Sequence, residues 1–155
     1  MINVSISVPV FPTENRDRVI AAMKNVLSFT EDQIQEETRP MTLSFEDITY
    51  DLVVTYLVLV SDDTFCLHRI RNIINKELIT ETARKVLYAS LHRDHVSFNI
   101  NKQAAIAGKM HFAEEGESPM GPIHVDIETD DPEGFIAWFV SPPEAEERTG
   151  SETNG

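Results

Sequence analysis

The sequence predicts an α+β fold: a single domain with a largely antiparallel sheet and helices packed on one face. Three observations lead there. Apolar and polar residues alternate with a period of two near both ends of the chain, amphipathic helical stripes fill the middle, and the last strands follow one another without strict alternation with helices. The 155 residues suffice for one domain with its own core. We place that domain at residues 1–141 and an acidic, disordered tail at 142–155, where Pro, Glu, Thr, Ser and Gly dominate and no large apolar anchor occurs.

Residues 2–10 set Ile2, Val4, Ile6, Val8 and Val10 against Asn3, Ser5 and Ser7, a strand with one buried face. Thr13 is placed to cap a helix running to about Phe29, with Val19, Ile20, Met23 and Leu27 as its apolar stripe. Residues 30–40 are acidic and polar and read as a surface connection broken by Pro40, followed by a short strand over 41–46. Residues 52–60 are β-branched and apolar on both faces, which predicts a central strand or one covered by a partner.

After Asp62 and Asp63, a helix to about Lys76 turns Leu67, Ile70 and Ile74 inward and Arg69 and Arg71 outward. Thr80 is placed to cap the next helix, whose inward stripe is Ala83, Val86, Leu87 and Leu91. Arg84, Tyr88 and His92 share another face at four-residue spacing. Val96, Phe98 and Ile100 then alternate with His95, Ser97 and Asn99 as a strand, and 109–113 and 123–128 read as two more, joined by a turn-rich stretch. Asp131-Pro132 opens a short helix carrying Phe135, Ile136, Trp138 and Phe139. The other sheet face is expected to show Asn3, Ser5, Ser7, His95, Ser97, Asn99, Lys109, His111, His124 and Asp126.

Charge is unevenly distributed. The formal net charge is −13, which disfavours loose attraction to phosphate. Yet from Cys66 to Lys109 eight cations stand against three anions, Glu77, Glu81 and Asp94, while the remaining five cations are set against 23 anions. This basic segment supplies the candidate RNA contacts: Arg69, Arg71, Arg84, Lys85, Tyr88, Arg93, Asn101, Lys102, Gln103 and Lys109. Guanidinium groups fork onto phosphate oxygens, and Tyr88 offers a stacking platform for an unpaired base. Asn101 and Gln103 have a structural reading beside the functional one, as groups bonding to backbone at a tight corner with Ala104, Ala105 and Ile106 packed inside.

Catalytic motifs do not accumulate. His92-Arg-Asp-His-Val-Ser-Phe-Asn99 matches the kinase catalytic-loop pattern, but no Gly-rich phosphate loop, Asp-Phe-Gly or second lobe accompanies it. His95, His111 and His124 raise a zinc reading without a C-x-x-C or H-E-x-x-H to support it. Cys66, the single cysteine, reads as a packed thiol. No cofactor or metal is expected, no apolar run is long enough to span a bilayer, and no secretion signal is visible, so a cytoplasmic protein is expected. The reading is a non-enzymatic protein binding structured RNA. The alternatives are a protein-interaction module or homodimer through strand 52–60 and, more weakly, a metal-dependent hydrolase.

Four stretches carry a resemblance: 8–14 with its helix, Leu78-Ile-Thr-Glu-Thr-Ala-Arg-Lys-Val-Leu87, Ser97-Phe-Asn-Ile-Asn-Lys-Gln-Ala-Ala105, and Glu117-Ser-Pro-Met-Gly-Pro-Ile123 with the helix holding Trp138. In these the chain resembles a family of uncharacterised archaeal proteins described as RNA-binding, some as exosome-associated. Where the family shows an acid in its Pro-Thr-Glu-Asp start, this chain has Asn15. The resemblance implies a fold similar to the 5S-RNA-binding protein of the large ribosomal subunit, an antiparallel sheet backed by helices. Residues 30–65 carry little of it.

Overall fold

The computed structural model describes residues 1–114 and 120–142. Five strands form one antiparallel sheet: β1 (Ile2–Val10), β2 (Ile34–Phe45), β3 (Ile48–Ser61), β4 (His95–Ile100) and β5 (Ile123–Thr129), in the order β2-β3-β1-β5-β4. The helices are α1 (Arg16–Val26), α2 (His68–Lys76), α3 (Thr80–Ser90), the short α4 (Lys102–Ile106) and α5 (Pro132–Val140). The α+β class and the single antiparallel sheet stand as the sequence predicts.

Alternation decides which face each strand buries. Val4, Ile6, Val96, Phe98, Ile100, Ile123, Val125 and Ile127 enter the core, where Val19, Met23, Leu67, Ile70, Ile74, Leu87 and Phe139 meet them from the helices. Register then collects the intervening polar residues on the opposite, open face: Ser5 pairs with Asp126, Ser7 with His124, Ser97 with Asp126 and Asn99 with His124. Lys109 and His111, expected there, lie outside the sheet. Segment 109–113 makes one antiparallel bridge, Phe112 to Ile100, flanked by backbone hydrogen bonds from Asn101 to the His111 carbonyl and from Ala113 to the Asn99 carbonyl, beside the last residues of β4.

The structure corrects several expected boundaries. Asn15, not Thr13, caps α1, accepting from the Arg18 amide at 3.2 Å, and the helix ends at Val26. Thr80 begins α3 without capping it. Residues 30–40 are not a loop: after a 3₁₀ turn at Glu31–Gln33 they form the first half of β2, an edge strand whose polar character on both faces concealed it. Strand 52–60 is the inner part of β3. From Thr55 to Leu59 it is flanked by both β1 and β2, while 52–54 pair with β2 alone. The expected tail falls almost wholly on 143–155, and the expected turn partly on 115–119, both outside the described residues.

Candidate nucleic-acid interface and the buried lysine corner

The corner after β4 is built around one ammonium group. Asn101 caps α4, its side chain accepting from the Ala104 amide at 2.9 Å while its own amide donates to the His111 carbonyl at 2.8 Å. This fixes the phase of the next residue, and Lys102 turns inward with none of its surface exposed. Its Nζ donates to the Pro9 carbonyl at 2.9 Å, the Met120 carbonyl at 2.5 Å and Glu14 Oε1 at 2.8 Å. All three protons are thereby used, as a buried ammonium requires. Burial pushes the Lys102 pKa below its ordinary range, opposed by the hydrogen bond and charge of Glu14.

The same corner explains Gly121. Its φ is +78°, and a Cβ there would lie 2.5 Å from Pro9 Cγ, so both backbone conformation and space call for glycine. Lys102 and Met120 thus tie together the two sequence stretches, Asn-Lys-Gln-Ala-Ala and Ser-Pro-Met-Gly-Pro-Ile, that carry the resemblance most specifically.

Lys102, expected at a phosphate, is therefore a core residue. Arg71, expected to point outward, is also buried at 5% exposure. Its guanidinium lies 4.5 Å from the centre of the Trp138 ring and donates to the Trp138 carbonyl at 2.9 Å and to Ser141 Oγ at 2.8 Å. The end of α5 crosses α2 there and turns a flank of the helix into interior. Asn101 is likewise engaged in its cap.

The remaining candidates stay at the surface. Arg84, Lys85 and Tyr88 form an exposed stripe on α3, with Arg84 also bonded to Glu81 one turn earlier. Arg93 is exposed in the turn into β4, at a φ of 56°. Arg69 is exposed and donates to the Lys24 carbonyl; Gln103 and Lys109 are exposed beyond the corner.

The open sheet face is electrostatically different. His95 Nδ1 lies 3.2 Å from Asp126, and its Nε2 lies 3.3 Å from Glu128 and 3.6 Å from Asp94. The hydrogen bond that His95 donates to Asp126 raises the His95 pKa, and the charges of Asp126, Asp94 and Glu128 add to this against a desolvation cost. Asp94, His95 and Glu128 bring ligand atoms within 4.8 Å of one another. Both ring nitrogens face carboxylates, an arrangement that holds a proton on the imidazole. The three histidines of the zinc reading are not brought together: His95 opposes Glu128, four residues along β5 from His124, which is about 13 Å of strand. His124 instead lies with Nδ1 2.6 Å from Asn99 Oδ1. Cys66 is buried, its thiol pushed up to about 11 by desolvation and, secondarily, by Asp63.

Sequence reasoning missed an apolar groove on the other half of the open face, with a volume of about 470 Å³. Pro9, Phe11, Met41, Leu43, Tyr56 and Pro122 form its apolar walls. The signal was present in the alternation of Met41, Leu43 and Phe45, but it became readable only with the register of β2.

The fold and this internal ion pair define a small α+β domain with helices on one side of an antiparallel sheet. The family model described as RNA binding matches residues 3–129, and the chain belongs to that family. It is 34% identical over 141 residues to a UPF0201 protein of Sulfurisphaera tokodaii, covering 90% of this chain and 88% of that one. A UPF0201 protein of Methanothermobacter thermautotrophicus is 31% identical over 147 residues, covering 93% and 97%. Among solved structures, the UPF0201 protein of Methanococcus jannaschii superposes with a TM-score of 0.66 at 20% identity, covering 90% of this chain and 99% of that one. A DUF54 protein from Methanothermobacter thermautotrophicus gives 0.57 at 19% identity, covering 90% and 97%. These superpositions show a shared fold. Among the described residues, no helix is long and apolar enough to cross a membrane.

Proposed function

We propose that this protein binds structured RNA through the exposed stripe of α3 and the turn leading into β4, with Arg84, Lys85, Tyr88 and Arg93 as the contacts. The observation that supports it is this surface stripe of cations around a half-exposed tyrosine, in a chain otherwise acidic and in a family described as RNA-binding. Arginine and lysine neutralise phosphates, and a base stacked on an aromatic ring contributes roughly 1–3 kcal/mol. Arg69 and Lys109 are further exposed cations of the same basic segment. The open face is the poorer choice, since Asp94, Asp126 and Glu128 would meet phosphates with like charge.

The test is binding to total cellular RNA as a function of salt, comparing wild type with Arg84→Ala/Lys85→Ala/Arg93→Ala. Loss of three phosphate contacts should reduce the slope of log affinity against log salt by roughly 2. Equal slopes in the two proteins, or no binding by wild type at low salt, remove this reading.

A further inference from the structure

The hairpin of β2 and β3 is longer than the sheet it joins. β1 accompanies β3 only as far as Val10 opposite Thr55, so 39–45 and 48–54 pair with each other alone. Register places Met41 opposite Leu52, Leu43 opposite Tyr50 and Phe45 opposite Ile48, all on one face of this ribbon. Phe45 is 68% exposed, Ile48 53%, Tyr50 50% and Leu43 44%. The reverse face carries Thr42 opposite Asp51 and Ser44 opposite Thr49, with Pro40 opposite the exposed Val53 nearer the sheet. A two-stranded ribbon is marginal in water by itself.

The apolar face continues into the groove, since Met41 and Leu43 belong to both. An apolar projection therefore stands beside an apolar hollow on the same surface of one chain. Few charges share this face: Arg39 and Glu37 stand on it at its inner end, paired with each other. Glu46 and Asp47 occupy the hairpin turn, Asp51 bonds Thr42 on the reverse face, and Arg39 lies 4.4 Å from the Tyr56 ring centre while pairing with Glu37.

We propose that this face joins two copies of the chain, the ribbon tip of each seated in the groove of the other. A twofold axis makes one patch meet itself, so a projection and a hollow side by side satisfy both halves of the contact at once. On a chain of net charge −13, this face carries no net charge, since its Arg39 and Glu37 pair with each other, which lowers the repulsion a second copy meets there. Four half-exposed large side chains offer roughly 350 Å² per copy and the groove walls add to it, which places the contact in the smaller, weaker class of interface. The proposal goes beyond RNA binding and is independent of it, because the α3 stripe belongs to the helix layer and not to this open face.

Analytical ultracentrifugation tests it, with wild type and Phe45→Glu studied up to roughly 100 µM, where a dimer of micromolar affinity is saturated. Wild type should sediment at twice the 17.5 kDa chain mass, and the variant as a monomer with dimer affinity reduced about 100-fold. In a second arm, Phe45→Cys chains are mixed with Pro122→Cys chains under oxidation, which should give a mixed disulfide between tip and groove. Cys66 is buried and its thiol stays protonated, so it does not compete. A monomeric wild type overturns the proposal, as does a Phe45→Glu dimer of undiminished affinity. Should that variant fail to fold, the mixed disulfide decides: its formation supports the contact and its absence refutes it. Binding of a small apolar dye by a monomeric wild type would assign the groove to a ligand instead.

Discussion

Replacing Lys102 by methionine separates a structural lysine from a phosphate contact. The variant keeps most of the apolar stem and removes the ammonium. Glu14, whose side chain is 10% exposed, then loses its partner at 2.8 Å, and the Pro9 and Met120 carbonyls lose their donors. Breaking one side of a buried ion pair costs about 3–5 kcal/mol, chiefly because the abandoned charge stays desolvated. For a domain of this size that corresponds to a fall in Tm of roughly 10 °C or more. Adding Glu14→Gln to Lys102→Met removes the stranded charge, so the double variant should recover part of the loss; calorimetry on all four proteins closes the cycle. At a temperature where the variant remains folded, RNA affinity should match wild type. A stability cost below about 1 kcal/mol, or weaker RNA binding from a variant with unchanged Tm, would refute the reasoning.

Three further outcomes are expected. Gly121→Ala should cost about 2–3 kcal/mol by chemical denaturation, adding collision with Pro9 to backbone strain, whereas Gly108→Ala, at a φ of +80° but with open space for a methyl, should cost only about 1 kcal/mol; equal costs would show that Pro9 simply yields. The His95 imidazole, followed by NMR, should titrate above its ordinary 6.5, and less so in Asp126→Asn. Because the folded pKa is the raised one, the stabilisation from its charged form is complete below the unfolded value and disappears as pH rises through the folded one; a His95 titration at or below 6.5 contradicts the assignment. Cys66 should resist thiol reagents at pH 8 in the native protein and react at once in denaturant.

Several elements were legible because a local rule suffices for them. Alternation located β1, β4 and β5, and Asp131-Pro132 announced α5, where Asp131 accepts from the Gly134 amide at 3.0 Å. The first half of β2 escaped because Ile34-Gln-Glu-Glu-Thr-Arg39 buries almost nothing and is ordered by its neighbour β3. The basic segment was visible as composition, but its accessibility was not. Arg71 follows Ile70 on the edge of an apolar stripe, so whether it meets water depends on where α5 lands. Lys102 meets a carbonyl from β1, 93 residues away, and no local pattern announces such a meeting. In both cases a cation expected to receive phosphate instead satisfies the ends of other segments.

The place of β1 in the sheet bears on how the chain assembles. The first strand made lies between β3 and β5, and β5 in turn fills the gap between β1 and β4. As the polypeptide is synthesised, β1 can pair along one side once residue 61 is available, but its other side has no partner until 123–129 emerge. Closing such distant pairs carries the entropy of long loops and slows folding relative to local structure. The β2–β3 hairpin, closed by a two-residue turn, is free to form first, so an apolar ribbon is on display while β4 and β5 are still missing.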